Sequence, residues 1–85
     1  MSHEFSTARI VRRLGDTPSQ RGSASGANCP DLFELADGDF AVIGTDRTEE
    51  LEGVLPIDAS RADHERIVVI TRETLIRAKR DIPDA

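Results

Sequence analysis

The alternation of apolar and polar positions is clearest in PDLFELADGDFAVIGT, where Leu32, Phe33 and Leu35 precede Asp37-Gly38 and Phe40, Val42 and Ile43 follow. Asp-Gly between two apolar runs is a hairpin signal, because a two-residue type I′ turn needs positive φ at both central positions. Glu34 alternates with apolar neighbours, so one face of the hairpin is expected wet and the other buried. The pattern predicts strands over residues 32–36 and 39–44. Downstream, RIVVIT is a short β-branched run with the character of a buried strand. It leads directly into RETLIRAKRDIP, which has helical spacing. Thr71 is the expected N-cap. Leu75, Ile76, Lys79 and Ile82 form a stripe, with the Lys79 stem able to lie along it. Lys79 and Arg80 fall in the last turn, where cations are favoured, and Pro83 ends the helix.

Two further segments carry weaker patterns. In EFSTARIVRRL, Phe5, Ile10, Val11 and Leu14 fall roughly on one side of a helix, with Ser6 or Thr7 available as a cap. A strand over residues 8–12 is the other reading, because Ile10 and Val11 are β-branched. TDRTEELEGVLP predicts a short helix capped by Thr45 or Asp46. Glu49 and Glu50 sit in its first turn, Leu51 anchors it, and Gly53 and Pro56 end it. Between these, GDTPSQRGSASGAN holds no large apolar residue and reads as a flexible linker.

The assembled expectation is α+β: a small three-stranded, mostly antiparallel sheet, made of the hairpin plus a third strand at RIVVIT and packed by the C-terminal helix. Residues 1–28 are expected to be a flexible N-terminal arm and linker, with a short helix within them, and residues 29–85 a single domain. Eighty-five residues are enough for one domain with a thin core.

Charge sharpens this picture. The net charge is −5 but unevenly spread: residues 1–28 carry +2, residues 29–66 carry −8 and residues 67–85 carry +1. An acidic middle disfavours direct contact with a nucleic-acid backbone and attracts a basic protein. Glu34, Asp37, Asp39 and Asp46 are the candidate partner-binding residues. The arginines Arg9, Arg12 and Arg13 have no aromatic interleaving, so they are a weak nucleic-acid signal.

Candidate chemistry is sparse. A nucleophilic Cys29 needs a base and an orienting group. The two histidines, His3 and His64, stand at no recognisable spacing from it, and a packing residue at the start of the domain is the simpler expectation. Asp37, Asp39 and Asp46 lack the twelve-residue ligand spacing of a calcium loop. Gly22 and Gly26 are followed by no Lys-Ser/Thr pair, so they do not make a phosphate loop. The expectation is a non-enzyme with no cofactor and no metal. A single cysteine suits a reducing cytoplasm, no apolar run is long enough for a membrane span, and residues 1–14 lack the apolar run of a signal peptide.

The stretches SASGANCPDLFELADGDFAVIGTD and RIVVITRETLIRAKRDI, about residues 23–82, resemble small streptomycete and other actinobacterial proteins without assigned catalytic activity. More distantly the chain is similar to the Domain of Unknown Function 397 group. Members of that group carry a Ser-rich stretch, Asn-Cys, an acidic strand, a Gly turn, further strands and a helix. The matching positions here are Ser23, Ser25, Asn28, Cys29, Glu34 and Gly38. The group carries Trp near its start and in its last helix, and this chain has none. The resemblance implies a small regulatory protein acting on a helix-turn-helix transcription regulator encoded nearby. A DNA-binding or DNA-mimicking module and a Cys29-dependent redox sensor are the alternative readings.

Overall fold

A computed structural model of the chain describes residues 9–17 and 30–84. Cys29, His3 and the matched positions Ser23, Ser25 and Asn28 lie outside the described residues, as does most of the expected arm and linker. The architecture is α+β. Strands β1 (Ile10–Arg13), β2 (Asp31–Leu35) and β3 (Phe40–Ile43) form an antiparallel sheet in the order β1-β2-β3. A second, two-stranded sheet pairs β4 (Thr45–Asp46) with β5 (Val68–Val69). Helix α1 (Thr48–Leu51) continues as a 3₁₀ turn over Glu52–Val54. Helix α2 (Arg72–Ala78) continues likewise over Lys79–Asp81.

The third strand of the main sheet is therefore β1, not the RIVVIT segment. Of the two readings of residues 8–12, the strand is the one found. Ile10 pairs with Leu35, Arg12 with Glu34 and Arg13 with Phe33, with a bulge between Ile10 and Arg12. The pairing is reinforced by charge across the strands. Arg12 Nε donates to Glu34 at 2.7 Å on one face. On the other face, Arg13 donates a two-pronged bond to Asp31 at 2.9 and 3.0 Å and lies over the Phe33 ring, 5.2 Å from its centroid. The folded unit thus draws in residues that precede Cys29.

The hairpin is present, but its turn is not the expected two-residue type. The Gly38 amide donates to the Leu35 carbonyl (3.0 Å) and the Leu35 amide to the Asp39 carbonyl (2.9 Å), closing a three-residue loop over residues 36–38. Gly38 has φ +95°, the left-handed conformation that ends a type I turn with a bulge. That geometry matches the twist of the flanking strands as a type I′ turn would, and it asks positive φ of Gly38, the residue that supplies it most cheaply.

Side chains on alternate positions of β2 define two faces. Leu32 and Glu34 face α2, and Phe33 and Leu35 face away. The core is small: Leu14, Leu32 and Ala78 are buried, with Ile70 packed against them. The buried residues of α2 are Thr74 and Ala78, whereas the Leu75, Ile76, Lys79, Ile82 stripe is exposed. Ala78 is fully buried, and a Cβ built on Gly15 would sit 3.1 Å from the Ala78 backbone nitrogen. Small residues let the helix backbone approach the end of β1 this closely. Of the stripe, Leu75 and Ile82 border a groove beside the sheet and stay about half exposed, and Ile76 is 56% exposed. Thr71 caps α2 as expected, its hydroxyl accepting from the Thr74 amide at 3.1 Å.

Candidate interaction surface

The four candidate acids fall in three settings. Glu34 lies in the middle of the sheet and is joined to Arg12, which also donates to the Asp81 carbonyl at 2.7 Å. Asp37 and Asp39 come together at the hairpin tip. The Asp37 carboxylate accepts from the Asp39 amide at 2.9 Å, so one acid shapes the turn that presents the other. Neither makes an ion pair among the described residues. Asp46 lies away from the hairpin, on β4.

Residues 45–69 form a lobe built from β4, α1, a long loop and β5. Its centre is polar. The Thr48 side chain is almost fully buried, and its hydroxyl donates to Asp46 Oδ1 at 2.7 Å while accepting from the Ile67 amide at 2.8 Å. Asp46 Oδ1 also accepts from the Thr48 amide at 3.1 Å, just ahead of α1, whose N-cap position is taken by Arg47 rather than by the expected Thr45 or Asp46. On its other oxygen Asp46 receives Arg66 Nε at 3.1 Å. These contacts hold the Asp46 carboxyl at about 2, the Thr48 hydroxyl contributing most, then the Thr48 amide, then Arg66.

The loop that returns to β5 is organised by Arg61. One guanidinium nitrogen donates to the carbonyls of Ala62, Asp63 and Glu65 at 3.0, 3.4 and 2.7 Å. The other donates to both carboxylate oxygens of Glu52 at 3.0 and 2.9 Å. Only 15% of the Arg61 side chain is exposed, so this fork replaces a hydrophobic core for the loop. Nothing in the sequence pattern marked Arg61, which stands alone in a polar stretch.

The ion pairs redistribute the surface charge. In residues 45–69 seven acids meet three arginines, a net −4. Each arginine is already joined to an acid: Arg47 to Glu50, Arg61 to Glu52 and Arg66 to Asp46. Glu49, Asp58, Asp63 and Glu65 make no ion pair among the described residues, and all four are exposed. Asp46, Arg47, Glu49, Glu50 and Arg66 line a cleft of about 300 Å³. In the rest of the described protein the charges nearly balance. Asp16, for instance, accepts from Arg77 at 2.7 Å and Arg80 at 2.8 Å, which hold its carboxyl below the usual value, Arg77 contributing more.

A second feature is apolar. Leu14, Leu32, Phe40, Leu75 and Ile82 line a groove of about 210 Å³ between the sheet and α2, with no polar atom in its wall. Phe40, Leu75 and Ile82 in its wall are about half exposed. His64 lies in the exposed loop of the lobe. Among the described residues, no group of three or more His, Cys, Asp or Glu is arranged to hold a metal ion, and no helix is long and apolar enough to cross a membrane. No family model, curated protein or solved structure matches the chain.

Proposed function

We propose that this is a small non-catalytic interaction protein that binds a basic partner through the acidic surface of residues 45–69. The partner class is the one the resemblance implies, a helix-turn-helix transcription regulator encoded nearby. The observation that carries the reading is the uncompensated charge of the lobe. Its three arginines are spent on internal ion pairs, leaving Glu49, Asp58, Asp63 and Glu65 exposed on a compact support. Such a surface accelerates encounter with a basic protein and selects against acidic ones. The hairpin-tip acids Asp37 and Asp39 add to the same field.

The test is capture of the purified neighbouring regulator at two ionic strengths. Binding is expected at low salt and is lost near 1 M, where the Debye length falls to ~3 Å. The isosteric variant Glu49→Gln/Asp58→Asn/Asp63→Asn/Glu65→Gln should lose capture at low salt while keeping its circular dichroism. Capture that ignores both salt and this variant would remove the electrostatic reading.

A further inference from the structure

The two edges of the main sheet are finished differently. Along β1 the pairing is broken by the bulge between Ile10 and Arg12, and the strand carries Arg12 and Arg13. A bulge and long charged side chains are the means by which sheets block a further strand. β3 has neither. Its residues Phe40, Ala41, Val42 and Ile43 include no charge, no proline and no glycine, and its register with β2 is unbroken.

The register also fixes which backbone groups are open. The Leu35 amide donates to the Asp39 carbonyl, so Leu35 and Asp39 are a hydrogen-bonded pair. Such pairs alternate along an antiparallel ladder. Ala41 and Ile43 therefore turn their N–H and C=O toward β2, and Phe40 and Val42 turn theirs away from it. Among the described residues nothing bonds to the outward N–H and C=O of Phe40 and Val42. Both residues are about half exposed, with their side chains on the Leu32 face of the sheet. The open stretch ends at the hairpin turn on one side and at Gly44, against which the Val69 carbonyl packs, on the other. A strand of this length spans about 13 Å.

Charge selects what fits there. Asp39, next to β3 at the hairpin tip, makes no ion pair among the described residues and lies on the opposite face from Phe40. On an added antiparallel strand, the residue after the one facing Phe40 comes opposite Asp39 and on the same face as its carboxylate. A second copy has no basic residue on β3 to set there, and it brings together two chains of net charge −5. We propose that β3 accepts an extended segment of a partner protein as a fourth, antiparallel strand. That segment carries apolar side chains opposite Phe40 and Val42 and a Lys or Arg opposite Asp39. Main-chain bonds supply the affinity, and the alternate side chains supply the choice. The edge uses none of Glu49, Asp58, Asp63 or Glu65, so it does not rest on the reading above.

The probe is the capped peptide TVTVKK, whose valines fall opposite Val42 and Phe40 and whose first lysine falls opposite Asp39. It is titrated to about 5 mM into the isotope-labelled full chain, because so short a strand is expected to bind with a Kd of about 1 mM. Amide exchange at Phe40 and Val42 should then slow about 5-fold, while Ala41 and Ile43, already bonded to β2, are unchanged. The peptide TVTVEE should bind about 10-fold more weakly. TVTVKK methylated on both valine nitrogens, which cannot donate to the Phe40 and Val42 carbonyls, should not bind. Val42→Pro removes an outward N–H and no bond to β2, so it should lose the peptide and keep its circular dichroism. A peptide that protects neither Phe40 nor Val42 overturns the proposal, as does a methylated or acidic peptide that binds as well as TVTVKK. Protection of Phe40 and Val42 that rises with protein concentration alone would make a second copy the occupant and overturn it too.

Discussion

Gly44 joins the two sheets, and its replacement by alanine carries a stability cost set by the backbone packed against it. Its φ lies outside the left-handed region, so the backbone conformation suits any residue and the cost is one of space alone. The added Cβ would stand 2.6 Å from the Val69 carbonyl oxygen, 3.1 Å from its carbonyl carbon and 3.2 Å from Ile70 Cγ2. Two of these are backbone atoms, which cannot rotate away. Bringing the closest to an ordinary contact of 3.4 Å moves the Val69 backbone by about 0.8 Å, and Val69 is hydrogen-bonded within β4–β5. Overpacking of this kind costs about 1–3 kcal/mol. At about 4–8 °C per kcal/mol for a domain of this size, the Tm should fall by at least ~4 °C. The assay is thermal unfolding by circular dichroism, with Gly53→Ala as control. A Cβ on Gly53 meets nothing within 4 Å, so that substitution should leave the Tm within ~2 °C of wild type or raise it slightly through the lost freedom of the unfolded chain. A Gly44→Ala protein that melts within ~1 °C of wild type would refute the steric argument.

Two other predictions concern the polar centre of the lobe. Thr48→Val removes the hydroxyl that joins Asp46 to the Ile67 amide and leaves a buried N–H without its acceptor, so urea denaturation should show a loss of about 1–3 kcal/mol. In the wild-type protein the Asp46 carboxyl titrates at about 2, below its ordinary 3.8. Its stabilising contribution is therefore complete above pH ~4 and fades as pH falls toward 2. Carboxyl NMR should find this midpoint, and in Thr48→Val it should move up toward the ordinary value; a midpoint near 3.8 in both proteins would dismiss the hydroxyl's role. Arg61→Lys keeps the charge but loses the planar fork, so amide exchange in residues 56–67 should accelerate at least ~10-fold while the main sheet is unaffected. Equal exchange in the two proteins would mean that the loop is held by something else.

Where the sequence is locally explicit, the fold was legible. Asp37-Gly38 between apolar runs marked the hairpin, Thr71 marked the start of α2, and Glu49 and Glu50 marked the first turn of α1. What failed was the partnering of elements across long separations. RIVVIT has the composition of a strand, but only Val68 and Val69 pair, and they pair with Thr45 and Asp46 in a second sheet. Four residues at Ile10–Arg13 are too few for a period to separate helix from strand, and β1 is held by Glu34 and Asp31 some twenty residues away. The burial of α2 was misread for a different reason. Hydrophobicity favours Leu75 and Ile76 as the buried side, but the helix approaches Gly15 by its backbone at Arg77 and Ala78, and Thr74 and Ala78 are the residues buried. Of the four acids, the sequence told their sign but not which of them the arginines of β1 and the lobe would claim.

The junction at Gly44 has a consequence for how the protein can vary. The chain leaves the main sheet at Gly44 and returns to the core at Ile70, and a Cβ on Gly44 would stand 3.2 Å from Ile70 Cγ2, so the two ends of the segment lie side by side. The segment between them has its own hydrogen-bonded centre at Thr48 and its own clasp at Arg61. Such a segment is an insertion in the architectural sense. It can lengthen, change charge or be exchanged for a short turn while Leu14, Leu32, Ile70 and Ala78 go on packing as before. The acidic surface and the packed scaffold therefore draw on different residues, so a substitution in one leaves the contacts of the other in place.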